Sequence, residues 1–292
     1  MDLKYLILLT ALISGISIFL NSYAVKGFEA TIFTLAKNVL VAVALFSIII
    51  AIGQWQELKK LSKKQWIQLA GIGLVGGSIP FILFFKGLQL TTGTTAGFLH
   101  KTLFIVVIIL ALVFLKEKLN LRFAFLAGAM LLGTFLLAKP DVQFSTAHLL
   151  IVGAVLFWAI ENVFAKHVLK SLSGNVVAFG RMFFGSIFIL CYLFVLDKQA
   201  LLFSMSSAQY LWIGITAGML FLYVLTYYNG LKHVQVSVAA SLLTLGLPIT
   251  ALLDAAFRHV VLSFADIAGI LLVVGSVVVL CIPSVQVAYG RA

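Results

Sequence analysis

Phe84-Phe85-Lys86-Gly87-Leu88 and, 143 residues further on, Tyr227-Tyr228-Asn229-Gly230-Leu231 are two versions of one phrase. The same offset, with no gap, lays Leu119-Asn120 on Leu262-Ser263 and Gly71 on Gly214. An offset of 144, one loop residue more, lays Ala36-Lys37-Asn38 on Gly180-Arg181-Met182. These landmarks punctuate apolar runs, and five such runs occur twice. Because five is odd, the second set enters the bilayer from the opposite face, which makes an inverted-topology repeat.

The composition supports that reading. Of 292 residues, 63% are hydrophobic and 10% are charged, whereas soluble domains average about 45–50% apolar and about 25% charged. Disordered, collagenous and disulfide-stapled secreted chains are excluded by the same comparison. A crossing needs about 20 apolar residues, so the chain has room for about ten. The runs and their breakers place helices at 4–25, 31–52, 66–86, 95–115, 121–138, 147–167, 175–196, 208–229, 236–257 and 263–282. The expected fold is an all-α membrane protein of ten transmembrane helices in two inverted five-helix repeats, 1–140 and 141–292. Lys4 ahead of the first apolar run resembles a signal sequence, but no small-x-small cleavage site follows, so an uncleaved first helix is expected.

A formal net charge of +11 would point to nucleic acid in a soluble protein. Here the basic residues fall in short loops and orient helices instead. With the polar stretch Gln54 to Gln65 inside, the cytoplasmic side holds Lys4, Lys59, Lys60, Lys63, Lys64, Lys116, Lys118, Arg122, Lys166, Lys170, Lys232 and Arg291. The outside holds only Lys26, Lys86, Lys139, Lys198 and Arg258. That asymmetry predicts a multi-pass plasma-membrane protein with both termini cytoplasmic. Cys191 and Cys281 lie in separate apolar runs, so neither a disulfide nor a metal site is expected.

Tyr227 to Ser237 running on to Leu247-Pro248 resembles the drug/metabolite transporter superfamily, EamA-type branch. Phe84 to Ala96, the turn Leu115-Lys116-Glu117-Lys118-Leu119, Trp158-Ala159 at the start of the second repeat, and Arg181 in its second helix extend the resemblance over nearly the whole chain. Three positions depart from the pattern: Val260 stands opposite Glu117, Ile105 opposite Pro248, and Ser14 where a tryptophan is usual. The resemblance implies ten helices, two repeats, and export or exchange of small polar metabolites, with amino acids prominent.

A charge at mid-helix costs about 2.5–3.5 kcal/mol on the lenient insertion scale, so intramembrane ionisable residues mark candidate sites. Lys37 and Lys101 lie six residues inside the outer edge, hence about 9 Å deep at about 1.5 Å per residue. Arg181 and Glu161 lie at similar depth from the inner edge, and Asp254 is nearer the outer mouth. Long lysine and arginine chains can instead snorkel to the interface. Glu161 is too short for that, and Arg181 on the next helix is its expected partner in a pair or shared polar cluster. Trp158, Tyr223, Tyr227, Tyr228, Phe81 and Phe84 are candidate cavity aromatics. Asn162 and Asn229 are candidate hydrogen-bonding groups, whereas His100 reads as a packing histidine. The GxxxG spacings Gly73–Gly77 and Gly214–Gly218 read as close-packing surfaces. The proposed substrate-binding set is Lys37, Phe84, Lys101, Trp158, Glu161, Asn162, Arg181, Tyr223 and Tyr227.

No HExxH, GxSxG, Walker or Asp-rich sequence is present, so no catalytic residue, metal or cofactor is assigned. The expected partners are a small-molecule substrate and the lipid bilayer, not nucleic acid, with dimerisation open. The function expected is a secondary transporter, not ATP-driven, for a small amphipathic metabolite such as an amino acid. Its rivals are a lipid or lipid-precursor translocator of the same fold and a non-transporting membrane enzyme or scaffold.

Overall fold

The computed structural model describes residues 5–24, 28–91, 93–139, 145–203 and 205–282. Lys4, Lys26, Pro140 and Arg291 lie outside the described residues. Within them, ten helices are long and apolar enough to span a bilayer: α1 (Tyr5–Ala24), α2 (Ala30–Ala51), α3 (Lys63–Gln89), α4 (Thr95–Phe114), α5 (Leu121–Ala138), α6 (Thr146–Val168), α7 (Gly174–Val195), α8 (Ser207–Leu231), α9 (Val236–Arg258) and α10 (Phe264–Cys281). The expected boundaries hold to a few residues. The largest departure is α3, which outruns its expected 66–86 at both ends.

Helix starts follow from capping chemistry. Ser62, Ser206 and Ser263 each form a reciprocal capping box, with Gln65, Gln209 and Asp266 respectively. Glu29, Asn120 and Ser173 accept from the first-turn amides of α2, α5 and α7. Such caps satisfy donors that a helix cannot satisfy itself. The match of Leu119-Asn120 to Leu262-Ser263 is thus a match of two N-caps.

The packing obeys the inverted two-fold. α1 lies against α8, and its repeat counterpart α6 lies against α3. α4 packs on α6 just as α9 packs on α1. The pairs α2–α7 and α5–α10 map onto themselves. In every one of these pairings the two helices come from different halves, so the halves interdigitate and share one core.

Backbones approach closely where glycine faces glycine. A side chain at Gly77 would stand 2.5 Å from the Arg181 carbonyl oxygen and 3.0 Å from the Gly185 Cα. On the α5–α10 seam, Gly133 and Gly269 meet in the same manner, each blocked by the other's carbonyl oxygen at 2.8 and 2.7 Å. Of the two GxxxG segments, only the first packs as expected. A Cβ at Gly214 or Gly218 would meet nothing within 4 Å, so that face of α8 closes against no neighbouring helix.

Candidate functional site

The site begins with a defect in α3. Residues Gly73–Ser78 form a π-helical turn, followed by Pro80 in the first turn of the next segment. Proline has no amide hydrogen, so the carbonyl four residues earlier, that of Gly76, loses its helical donor. Single π turns widen the backbone and recur at functional positions. Two side chains from the other half take up the freed oxygen: the Trp158 indole nitrogen donates to it at 3.1 Å and the Arg181 guanidinium at 3.0 Å. The Gly77 carbonyl accepts from the Asn38 amide at 3.1 Å. No side chain fits at Gly76, because a Cβ there would lie 2.3 Å from the Glu161 Cγ and 3.1 Å from the Arg181 Nε.

Around this point α6, α7 and α8 contribute a buried polar cluster. The Tyr228 hydroxyl donates to the Glu161 carboxylate at 2.5 Å, and the Tyr227 hydroxyl donates to the Asn162 carbonyl. The Asn162 amide is tied back to the Trp158 carbonyl at 2.7 Å. Two adjacent residues of α6 are therefore read by two adjacent residues of α8. Tyr223 stacks on Tyr227 with centroids 5.8 Å apart. Trp158 is ringed by Phe81, Phe84 and His100 at centroid distances of 5.3, 5.6 and 4.9 Å. The Arg181 guanidinium lies over Phe81 at 5.9 Å. Glu161, Arg181, Trp158 and Asn162 are all buried.

Of the two arrangements expected for Glu161 and Arg181, a direct pair or a shared polar cluster, the structure has the second. Glu161 and Arg181 share the cluster, but each takes its hydrogen bond elsewhere: Glu161 from Tyr228, Arg181 from the Gly76 carbonyl. The guanidinium reaches over the α3 defect, which no reading of apolar runs displays. Asp254 does not join a polar route; it pairs with Arg258 at 3.0 Å, one turn along α9 near the outer end. The signal that was available for the defect is Gly76-Gly77-Ser78-Ile79-Pro80, since Pro80 orphans the Gly76 carbonyl.

Of the nine expected residues, Phe84, Trp158, Glu161, Asn162, Arg181, Tyr223 and Tyr227 come together. Lys37 stands apart towards the outer ends of α1 and α2. Its ammonium donates to the Asn21 carbonyl at 2.8 Å and lies 4.5 Å from the Phe33 ring centre. Lys101 faces α1 and α9, one residue along the chain from His100 in the cluster. It ends the helical segment Gly93–Lys101, and α4 resumes at Leu103. α9 is interrupted at the corresponding place, where a 3-10 turn at Leu243–Leu245 precedes Gly246. Pro248 accounts for the second break by orphaning the Thr244 carbonyl. At the first, the Thr102 hydroxyl competes for the Leu99 carbonyl at 2.7 Å. Interrupted helices at the meeting of inverted repeats are a recurrent setting for solute sites.

The face that carries the α2–α3, α4–α5, α6–α7 and α8–α9 loops, the inner face of the charge-based reading, is closed by side chains acting on backbone. Glu117, in the α4–α5 turn, accepts from the amides of Val236 at 2.8 Å and Ser237 at 3.3 Å, and from the Ser237 hydroxyl. It thus caps the positive end of α9. Lys166, at the inner end of α6, donates to the carbonyls of Leu231, Lys232 and Val234 at 2.7, 3.2 and 2.6 Å and caps the negative end of α8. Nearby, Glu57 accepts from the Ser173 amide at 2.7 Å, and Gln54, Asn175 and Asn229 form a hydrogen-bonded chain. At the outer face Lys139 pairs with Asp266 at 2.9 Å, and Arg258 donates to Ser22. Each of these loop-to-loop contacts joins loops on one side of the ten-helix alternation.

A shallow groove of about 460 Å³ on the outward face of α5, lined by apolar residues that include Leu121, Phe125, Gly128 and Leu132, is separate from this cluster.

Comparison with known proteins agrees with the architecture. One curated relative, an uncharacterized transporter encoded in the cobO 3' region of a Sinorhizobium species, is 31% identical over 133 residues, covering 44% of this chain and 94% of its own. An uncharacterized transporter of Haemophilus influenzae is 30% identical over 152 residues, 48% of each chain, so the match spans about half of that relative. A chain of known crystal structure superposes with a TM-score of 0.80 at 17% identity, covering 99% of both, which is a likeness of fold. The family model for EamA-like transporters matches twice, over residues 4–139 and 145–282. With ten interdigitated helices in two inverted halves and both halves matched, the chain belongs to the EamA-like transporter family, part of the drug/metabolite transporter superfamily.

Proposed function

We propose that this membrane transporter is a secondary, non-enzymatic carrier that exports or equilibrates a small amphipathic metabolite such as an amino acid across the plasma membrane. The observation that carries the reading is the buried cluster at the crossing of the two halves. It combines aromatic faces at Phe81, Phe84 and Trp158 with a carboxylate, a guanidinium and three tyrosine hydroxyls. A solute with an apolar body and charged ends has a counterpart there for each part. The substrate-binding set proposed is Lys37, Phe84, Lys101, Trp158, Glu161, Asn162, Arg181, Tyr223 and Tyr227. Cytoplasmic termini are supported by the loop cations, most of which lie on the side closed by Glu117 and Lys166.

Counterflow of pooled labelled metabolites into proteoliposomes, repeated with an imposed proton gradient, tests this reading. Saturable flux of zwitterionic or anionic metabolites, in preference to lipophilic cations, is expected. Absence of flux for every solute would remove the carrier assignment, and strong inhibition by ethidium alone would invert the polarity assigned to the site.

A further inference from the structure

The buried cations of the bundle are not equivalent. Lys37 has the Asn21 carbonyl, Arg181 has the Gly76 carbonyl, and Lys166 has three backbone carbonyls. Lys101, with 8% of its surface exposed, forms no hydrogen bond or ion pair with any described residue. An ammonium desolvated to that degree without an acceptor is a costly arrangement for structure alone. Its surroundings show which groups lie beside it. A side-chain carbon on Gly246 would stand 3.2 Å from the Lys101 Nζ, 3.2 Å from the Ser14 Oγ and 3.4 Å from the Gly15 amide nitrogen. Glycine is thus what lets the ammonium and the hydroxyl lie against this stretch of α9 as neighbours. The two groups stand between the ends of two interrupted helices, α4 and α9, beside α1, at the meeting of the halves.

We propose that Lys101 and Ser14, where they meet α9 at Gly246, form the subsite that takes the carboxylate of the transported solute. This rests on the carrier reading above and names the part of the site that recognises negative charge. A monoanionic carboxylate is favoured over a phosphate dianion, because one ammonium neutralises the first and leaves a buried charge on the second. His100, the residue before Lys101, touches Trp158 at 4.9 Å. The carboxylate site and the aromatic cluster thus lie on either side of the same turn of α4, as the head and body of one solute require.

The test pairs three amino acids with their decarboxylated amines: alanine with ethylamine, leucine with 3-methylbutylamine, and phenylalanine with phenethylamine. Each is titrated into purified protein in detergent while the thermal unfolding midpoint is followed. At least one amino acid raises the wild-type midpoint and its amine does not. Lys101→Met abolishes the difference, Lys101→Arg retains part of it, and Gly246→Ala weakens the apparent affinity at least tenfold. If Lys101→Met fails to fold, Ser14→Ala and Gly246→Ala carry the test, each through lowered affinity for the amino acid in protein whose unliganded transition stays cooperative. An amine as effective as its amino acid, a carboxylate response that survives Lys101→Met or both substitute variants, or no response to any amino acid in the wild type overturns the subsite. Proteoliposome flux separates the two levels. Loss of all wild-type flux strikes the carrier reading, whereas flux whose amino acid-to-amine ratio is unchanged by Lys101→Met strikes only the subsite.

Discussion

Replacing Gly77 by alanine puts a methyl group where α3 and α7 touch backbone to backbone. The new Cβ would stand 2.5 Å from the Arg181 carbonyl oxygen and 3.0 Å from the Gly185 Cα. Relief to ordinary contact, about 3.5 Å, requires the two helices to part by about 1 Å. Neither obstacle is the end of a flexible side chain, so local adjustment is poor and the cost is about 1–3 kcal/mol of overpacking. Alanine regains up to about 1 kcal/mol of helix propensity over glycine. The net expectation for Gly77→Ala is a loss of up to about 2 kcal/mol. Gly218→Ala, in the corresponding helix of the second half, meets nothing within 4 Å and keeps the propensity gain alone. Because both variants gain the propensity term, they should differ by the overpacking cost alone, about 1–3 kcal/mol, with Gly218→Ala the more stable. Reversible denaturant unfolding in mixed micelles, with helicity as the signal, measures this. Equal stability of the two, within about 0.5 kcal/mol, would refute the close approach of α3 and α7 and with it the cradle that holds Arg181.

Tyr228→Phe removes the hydroxyl that serves Glu161 and should destabilise by about 1–3 kcal/mol, read by the same titration; a change under about 0.5 kcal/mol would mean that the carboxylate has another donor. Glu117→Gln trades a carboxylate cap on α9 for a single neutral acceptor, and hydrogen exchange at the Val236 and Ser237 amides should quicken about tenfold, equivalent to about 1.4 kcal/mol; unchanged protection would show that the cap contributes nothing. Single cysteines at Lys60 and Lys198, in a chain with Cys191 and Cys281 replaced, should be respectively protected from and labelled by an impermeant thiol reagent on intact cells, and the opposite pattern would invert the topology.

The spans were legible because a bilayer forces each apolar run to satisfy its backbone internally, so hydropathy and capping residues suffice to delimit it. The inversion was legible from matched punctuation, and the caps Asn120 and Ser263 show that the match has a physical basis. What one helix's sequence does not carry is its rotation against another. That Tyr228 rather than Arg181 would reach Glu161 depends on which faces of α6, α7 and α8 converge. Likewise Gly214–Gly218 has the spacing of a packing surface and yet faces no helix. The α3 defect lay between these cases, since Pro80 announces a freed carbonyl but not the Trp158 and Arg181 side chains that claim it.

The interdigitation of the halves bears on how the chain is made. Synthesis delivers α1 to α5 first, yet the principal partners of these helices, α8, α7, α6 and α10, are still to come. The first half therefore waits in the bilayer with most of its intended contacts unmade, and Asn38, which donates to the Gly77 carbonyl of α3, holds no settled place until α3 is braced by α6 and α7. Assembly must follow insertion rather than accompany it. The same dependence makes the connection between the halves dispensable in principle: two separately translated pieces have every surface they need to find each other, and neither has a core without the other.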